Sequence, residues 1–362
     1  MLATKLATAA ALDLSEVNRV VEQAARTSFE WDGPTSGPAA ATHKEIVFVA
    51  ADLRNDGING VAKGVAEAAS TIGWQLKFID GKGSSTRQTA ALAKAIAMKP
   101  DGVILGGFNA HEHIETLNIA KELGIAAVGW HASGSPGPDM KAGLFSNLTT
   151  DPFDVAKLAA YYAIASTEGQ AKVVIFTDPN YAIALEKSTT MANIINSCTS
   201  CEVLSIEHLP LEVTADQMPN TIKRLFDTFG TQITNFLVIN DLYIDFAVPS
   251  LEAADIPEQQ LPVSISAGDG SAAAYARIKQ NAYQSATVPE PLTLHGWQAI
   301  DELNRAFNGE ADSGFTASSH LITPVNIRAH ESPTHKDLST TPAYTQEFKQ
   351  AYSRIWAGET AQ

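Results

Sequence analysis

Apolar residues recur in two alternating rhythms along most of the chain. Short β-branched runs at 46–51, 75–80, 102–106 and 125–130 are separated by stretches near 57–72, 86–98 and 111–123 whose apolar positions fall at helical spacing. Strands joined by crossovers of a dozen or more residues predict a parallel sheet covered by helices on both faces. The rhythm restarts near 172, with strands expected at 172–177, 201–206, 235–240, 262–267 and 283–288 and helices near 152–167, 183–196, 217–229, 243–254 and 270–281. Two series of similar size predict an α/β fold of two doubly wound parallel-sheet lobes rather than one very wide sheet. After Pro289 and Pro291 a helix over 294–308 and a strand over 319–322 must return to the lobes, so the chain crosses between them several times and forms a hinge.

The ends follow different patterns. Leu14, Val17, Val20, Val21, Ala24 and Ala25 mark an amphipathic helix within 14–29, which the Gly- and Pro-rich segment 31–38 stops. Tyr344, Phe348, Tyr352 and Trp356 recur every four residues and mark one face of a tail helix docked on a lobe. The expected divisions are an N-terminal helical extension and linker over 1–43, a first lobe over 44–149 plus 291–313, a second over 150–290 plus 314–330, and a helical tail over 331–362. Both ends are read as additions belonging to neither lobe.

Length agrees with two lobes, because 362 residues exceed what one core organises, about 250 to 300. With 45% apolar and 18% charged residues the chain can bury such cores. Its 25 Lys and Arg against 40 Asp and Glu give a formal net charge of −15. That field repels phosphate backbones and anionic lipid, which makes nucleic acid and membrane poor partners. It also disfavours strongly anionic ligands such as sugar phosphates, unless Lys187 and Arg54 make a local exception. No apolar run approaches the roughly 18 residues that span a bilayer, and Met1 to Leu12 show no leader. The spacing of Cys198 and Cys201 allows a disulfide, a redox dithiol, half of a metal site or two reduced thiols; a small structural disulfide is favoured, and it implies an oxidising compartment.

In open α/β sheets, ligands bind beyond the carboxyl ends of the strands, so the residues there are the candidate chemistry. They are polar: Asp52 to Gly57, including Asn55 and Asp56, after the first strand; His131 after the fourth; Asp178 to Tyr181; Asn240-Asp241; and Asp269. Planar carboxylates and amides suit a ligand rich in hydroxyls, which both donate and accept hydrogen bonds. Any single one of these residues serves equally well as a helix N-cap. Phe108, Trp130 and Tyr181 lie near strand ends and are candidates to cover the C–H face of a sugar, although Trp130 suits a core as well. Trp74, Trp297 and Trp356 sit in helical patterns and read as packing.

Seven segments stand in order along the chain: Ile46–Ala51 with Asn55, Val61-Ala62-Lys63-Gly64-Val65, Gly73-Trp74-Gln75-Leu76, Lys99-Pro100-Asp101-Gly102-Val103-Ile104, Gly124-Ile125-Ala126-Ala127-Val128, Asn240-Asp241 and Gly268-Asp269-Gly270. As an ordered set they resemble the ribose-type, sugar-binding family of periplasmic solute-binding proteins of ABC transporters. The resemblance spans about 45 to 325 and implies the type I periplasmic binding fold and a monomeric, periplasmic receptor. Such a receptor captures a sugar or polyol by hinge closure and delivers it to a membrane permease, with no cofactor, metal or catalysis. Asn55 matches a first-loop ligand contact, Asp151 a residue at the crossover, and Asn240 and Asp269 two contacts of the second lobe. Three positions depart: His131 stands where aspartate is common, Lys187 where arginine is common, and Glu290 where glutamine is common.

Two other functions compete with this one. The ligand-sensing core of a lactose-repressor-type regulator shares the fold but needs a helix-turn-helix, and 1–43 holds one helical segment with no recognition helix. A carbohydrate-active enzyme is the other, yet the chain has no Gly-x-Ser-x-Gly elbow, phosphate loop or Gly-x-Gly-x-x-Gly. His111-Glu112-His113 puts its histidines two apart, on different helix faces, and reads as a solvated helix start.

Overall fold

The structure is a computed structural model that describes residues 12–27, 31–254, 256–330 and 347–359. Most of the Met1 to Leu12 segment and Tyr344 lie outside the described residues. Helix α1 (Leu14–Ala24) precedes the first lobe, which runs β1 (Glu45–Ala50), α2 (Asp56–Thr71), β2 (Gln75–Asp80), α3 (Ser85–Ala97), β3 (Gly102–Gly106), α4 (Ile114–Glu122) and β4 (Ala126–Trp130). A hairpin, β5 (Gly137–Asp139) and β6 (Leu144–Leu148), completes a sheet of order β2-β1-β3-β4-β6-β5, parallel except for β5. The second lobe contains α5 (Pro152–Ser166), β7 (Lys172–Thr177), α6 (Ala182–Ser197), β8 (Glu202–His208), α7 (Thr214–Phe229), β9 (Asn235–Val238), α8 (Leu242–Glu252), β10 (Val263–Ser266), α9 (Ala272–Gln280) and β11 (Gln284–Thr287). Its sheet, β8-β7-β9-β10-β11, is all parallel.

Both sheets place their first strand inside their second, so the strand order reverses between β1 and β3 and again between β7 and β9. Crevices open at such reversals. The central strands are apolar throughout because helices cover both faces: five consecutive residues of β1, Glu45 aside, are buried. The chain then returns through α10 (Leu292–Asn308), which packs on α2 of the first lobe. The two helices meet where Gly64 faces Gly296; a β-carbon on Gly296 would lie 2.5 Å from the backbone of Gly64.

The surplus at the two ends packs against the lobes, the tail docking as its apolar helix face predicts, rather than standing as additions that belong to neither. Val17 of α1 is fully buried against the second lobe, and Leu321 donates its N–H to Ala24 at 3.0 Å. The linker and α11 (Glu347–Trp356) cover the outer face of α10 in the first lobe. Asn304 accepts from the N–H of Ala41 and donates to the carbonyl of Pro38, while Ala40 donates to Trp356. Helix α10 is therefore buried on both sides, including Asp301, Glu302, Asn304 and Arg305. An outward face this polar looks solvated in sequence; here extra chain covers it.

Three local expectations also change. The β5–β6 hairpin is not legible in the sequence, because Ser-Gly-Ser-Pro-Gly-Pro over 133–138 reads as loop. The strand at 319–322 is a single bridge between Thr287 and Ile322. The helix at 111–123 opens as a 3-10 turn, Ala110–His113. Its His113 is buried against Phe108 rather than solvated, and burial lowers its pKa. Cys198 and Cys201 are joined as a disulfide between α6 and β8. Among the described residues, no helix is long and apolar enough to cross a membrane and no His, Cys, Asp and Glu group is arranged to hold a metal.

Burial of Glu302 gives a stability prediction. Ser313, on the chain returning from α10 to the second lobe, donates its N–H at 3.2 Å and its hydroxyl to this carboxylate. Burial still pushes the Glu302 pKa up to about 7. The folded state holds a proton that the unfolded chain releases near 4.5, so this group's contribution to stability is full below 4.5 and falls as pH rises to about 7. Urea titrations should show wild type losing on the order of 3 kcal/mol relative to Glu302→Gln across that window. A pH-independent difference would show that Glu302 is already ionised in the folded protein.

Candidate ligand-binding cleft

The strand ends of both lobes face one another across a cavity of about 540 Å³ that continues into a smaller inner recess of about 80 Å³. Asn55 opens α2 from the first lobe; its Oδ1 caps the helix by accepting from the N–H of Ile58 at 3.1 Å, and the residue lines both spaces. Asp56 lies beside it on the outer wall. The N-cap and ligand-facing readings are compatible here, because the amide Nδ2 is not used by the cap.

From the second lobe, Asn240 and Asp269 form one unit. Asn240 accepts from the N–H of Leu242 at 2.9 Å through Oδ1 and donates Nδ2 to Asp269 Oδ2 at 2.6 Å. Asp269 Oδ1 makes no hydrogen bond among the described residues. The carboxylate reaches across to the start of α2, where a β-carbon on Gly57 would sit 2.6 Å from its Oδ2. Glycine at 57 lets the two lobes come this close.

Asp241, which follows Asn240, holds the Asp269 loop from behind. Its Oδ2 accepts from the N–H of Gly270 at 2.9 Å and of Ser271 at 3.2 Å, and its Oδ1 accepts from Gln284 at 2.8 Å. Burial pushes its pKa up to about 6. Asp178 is likewise committed to backbone, accepting from Asn180 and Leu211, both at 2.8 Å. It borders the outer cavity but both oxygens are occupied. Tyr181 lines both spaces, and burial pushes its hydroxyl pKa up to about 12, which keeps it a hydrogen-bond donor at neutral pH.

The inner recess is built on a stacked pair. His131 takes a left-handed backbone, φ 50°, and lays its ring on that of Trp130 at 4.0 Å, with 11° between the planes. The Trp130 indole donates to His295 Nδ1 at 3.1 Å. Burial pushes the fully enclosed His295 down to about 4, so Nδ1 is free to accept. Trp130 thus serves both readings at once: it is buried in the core and backs the recess.

Lys187 points inward from α6, 3% exposed, and donates to the carbonyl of Ala267 at 2.8 Å. Glu290 stands on the second crossing between Pro289 and Pro291, whose missing N–H groups and fixed φ hold an extended segment. It is wholly buried beneath the recess rather than on its wall. Thr150 of the first crossing donates to it through Oγ1 at 2.8 Å and N–H at 3.2 Å, which fastens the two crossings together.

Two expected contacts lie elsewhere. Phe108 packs in the first-lobe core, its ring 5.3 Å from His113, because the turn after β3 points it inward. Asp151 caps α5 by accepting from Phe153 at 2.8 Å and does not line the cleft. Sequence reasoning missed Leu211 and Glu212, which reach the cavity from the loop after β8, and Phe246 on α8. The loop after β8 follows a strand end, so the same rule applied there would have found the first two.

Two lobes of this topology, hinged by several crossings around a polar cleft, define the class of type I periplasmic binding folds. Residues 46–311 match the family model described as a periplasmic binding protein domain, and the chain belongs to that family. Solved structures agree in fold. A glucose-galactose binding protein from Geobacillus stearothermophilus superposes with a TM-score of 0.69 at 19% identity, covering 79% of this chain and 99% of that one. An ABC transporter solute binding protein from Bacillus halodurans with bound myo-inositol gives 0.68 at 17%, covering 82% and 99%. The arabinose-transporter binding protein of Shewanella sp. ANA-3, bound to L-arabinofuranose, gives 0.67 at 15%, covering 88% and 99%. No match was found among curated protein sequences.

Proposed function

We propose that this chain is a monomeric periplasmic receptor that captures a neutral sugar or polyol in the inter-lobe cleft and presents it to the permease of an ABC transporter. The observation that carries this reading is the Asn240–Asp269 unit, aimed across a narrow gap at Asn55 and at the Trp130–His131 stack. Carboxylate and amide groups serve the hydroxyls of a sugar, and a flat aromatic pair serves its C–H face. The sugars and polyol named for the structural relatives belong to the same ligand class. Neither catalysis nor nucleic acid enters this account.

Capture follows from the hinge: rotation about the crossings brings Asp269 onto α2, and the ligand shifts that equilibrium by as much as it prefers the closed form. Micromolar affinity needs roughly 8 kcal/mol, and hydrogen bonds to charged groups give about 1.5–3 each. Four to six such contacts, less ordering costs, suffice. A thermal-shift screen over pentoses, hexoses, deoxysugars and alditols is expected to find a stabilising ligand, since a ligand at about a thousand times its Kd adds about 4 kcal/mol. Stabilisation by an amino acid or nucleotide alone, with every sugar and polyol silent, would refute the reading.

A further inference from the structure

Two basic residues approach the base of the cleft from opposite lobes, Lys187 on α6 and His131 after β4, and both meet one oxygen. Glu290 Oε1 lies 3.7 Å from Lys187 Nζ and 3.4 Å from His131 Nε2. Its side chain is 0% exposed, against 4% for Lys187 and 13% for His131, so solvent screens little of these contacts. Thr150 holds the carboxylate in place with two hydrogen bonds from the first crossing. Another titratable group against it, His295, comes to 3.8 Å from Oε2 through the nitrogen that already accepts from Trp130. That imidazole is neutral at pH 7 and supplies no charge.

We propose that Glu290 is a specificity-determining residue that excludes anionic ligands from the cleft by neutralising Lys187. Burial alone would raise its pKa, but His131 and Lys187 hold it below the usual carboxylate range. A ligand carboxylate or phosphate reaching Lys187 would meet a buried negative charge already there. Repulsion between like charges that close disfavours binding by roughly a hundredfold to a thousandfold. The other cation on the wall, Arg54, is held by Asp52 at 2.6 Å. Asp56, Glu212 and Asp269 make the rest of the wall negative. Lys187 and Arg54 therefore make no opening for an anion, despite their sign.

This inference rests on the cleft being a sugar site, and its test separates the two. Binding of matched pairs, glucose and glucuronate, galactose and galacturonate, arabinose and arabinonate, is measured by calorimetry on the full chain for wild type, Glu290→Gln and Glu290→Asp. Gln keeps an acceptor for Thr150 and removes the charge; Asp draws the charge back by one methylene. Wild type is expected to bind a neutral member and reject its acid. Glu290→Gln is expected to gain at least about tenfold for the acid relative to the neutral partner, and Lys187→Met added to it is expected to cancel most of that gain. Glu290→Asp should shift the same way by less, and it decides the matter if Glu290→Gln does not fold. Wild type binding the acid as well as the neutral sugar overturns the proposal, as does a folded Glu290 variant with no gain. If wild type binds no neutral sugar, the sugar reading falls, while a gain for the acids in the variant still supports exclusion by Glu290 and its absence still overturns it.

Discussion

Asp269→Ala is expected to abolish ligand-induced stabilisation while leaving the unliganded protein folded. The carboxylate is 9% exposed, yet only Oδ2 is engaged, by Asn240. Two ligand hydrogen bonds to a charged acceptor are worth about 3–6 kcal/mol together, so affinity should fall by a hundredfold or more. The unliganded fold should change by no more than about 1 kcal/mol, because the lost bond lies at a cleft wall that water can reach. Asp269 also raises the pKa of Asp241 through like-charge repulsion, so the variant should lower the Asp241 pKa from about 6, which carboxyl NMR titration would detect. Asp151→Ala is the contrasting variant. Losing a cap should cost about 0.5–2 kcal/mol of stability and leave affinity unchanged. Ligand binding that survives in Asp269→Ala and disappears in Asp151→Ala would mean that the cleft has been placed on the wrong side of the crossing.

The contrast between Asp151, Asp178 and Asp269 shows where sequence stops being informative. All three are acidic and stand just after a strand or crossing, so local pattern treats them alike. Asp151 is taken by a backbone N–H two residues away, which an N-cap pattern anticipates. Asp178 is taken partly by Leu211, thirty-three residues further on, and no local rule reports that. Asp269 keeps an oxygen because its loop is held by Asp241 instead. The strands were legible for the opposite reason: burial on two faces writes an unbroken apolar run, as in β1 and β3. The β5–β6 hairpin has a proline, two glycines and a first strand only three residues long, and it took the sheet edge to reveal it.

The Glu290 cluster marks the same limit at longer range. The doubly wound rhythm and the two prolines placed Glu290 at a crossing, and the fold placed His131 and Lys187 at the cleft. Their meeting at one buried oxygen depends on how the two lobes are set about the hinge. Residue types departing from the family pattern at 131, 187 and 290 are visible one by one; that Lys187 and Glu290 compensate each other in charge, at an oxygen His131 also meets, is a property of the assembled site.

Trp356→Ala should be among the most damaging single changes outside the cleft, because the tail is part of the first lobe. The indole is 5% exposed, stacks on Trp297 at 5.3 Å with 9° between the planes, and donates Nε1 to Asp301 Oδ1 at 2.9 Å. Asp301 is itself fully buried, its pKa raised by burial against the pull of Arg305. Truncation removes a large buried ring and a hydrogen bond to a charge at once, an expected loss of about 3–5 kcal/mol in urea unfolding. Trp356→Phe keeps a ring for Trp297 and loses only the donor, so it should cost about 1.5–3 kcal/mol, the worth of a hydrogen bond to a charged group. Raising Asp301 toward protonation should make part of the Trp356→Phe loss recover at acidic pH, since a neutral carboxyl needs the indole less. Equal losses in the two variants at every pH would show that the stack on Trp297 contributes nothing. A loss below about 1 kcal/mol in Trp356→Ala would show that the tail does not bury Asp301 and the outer face of α10 in solution.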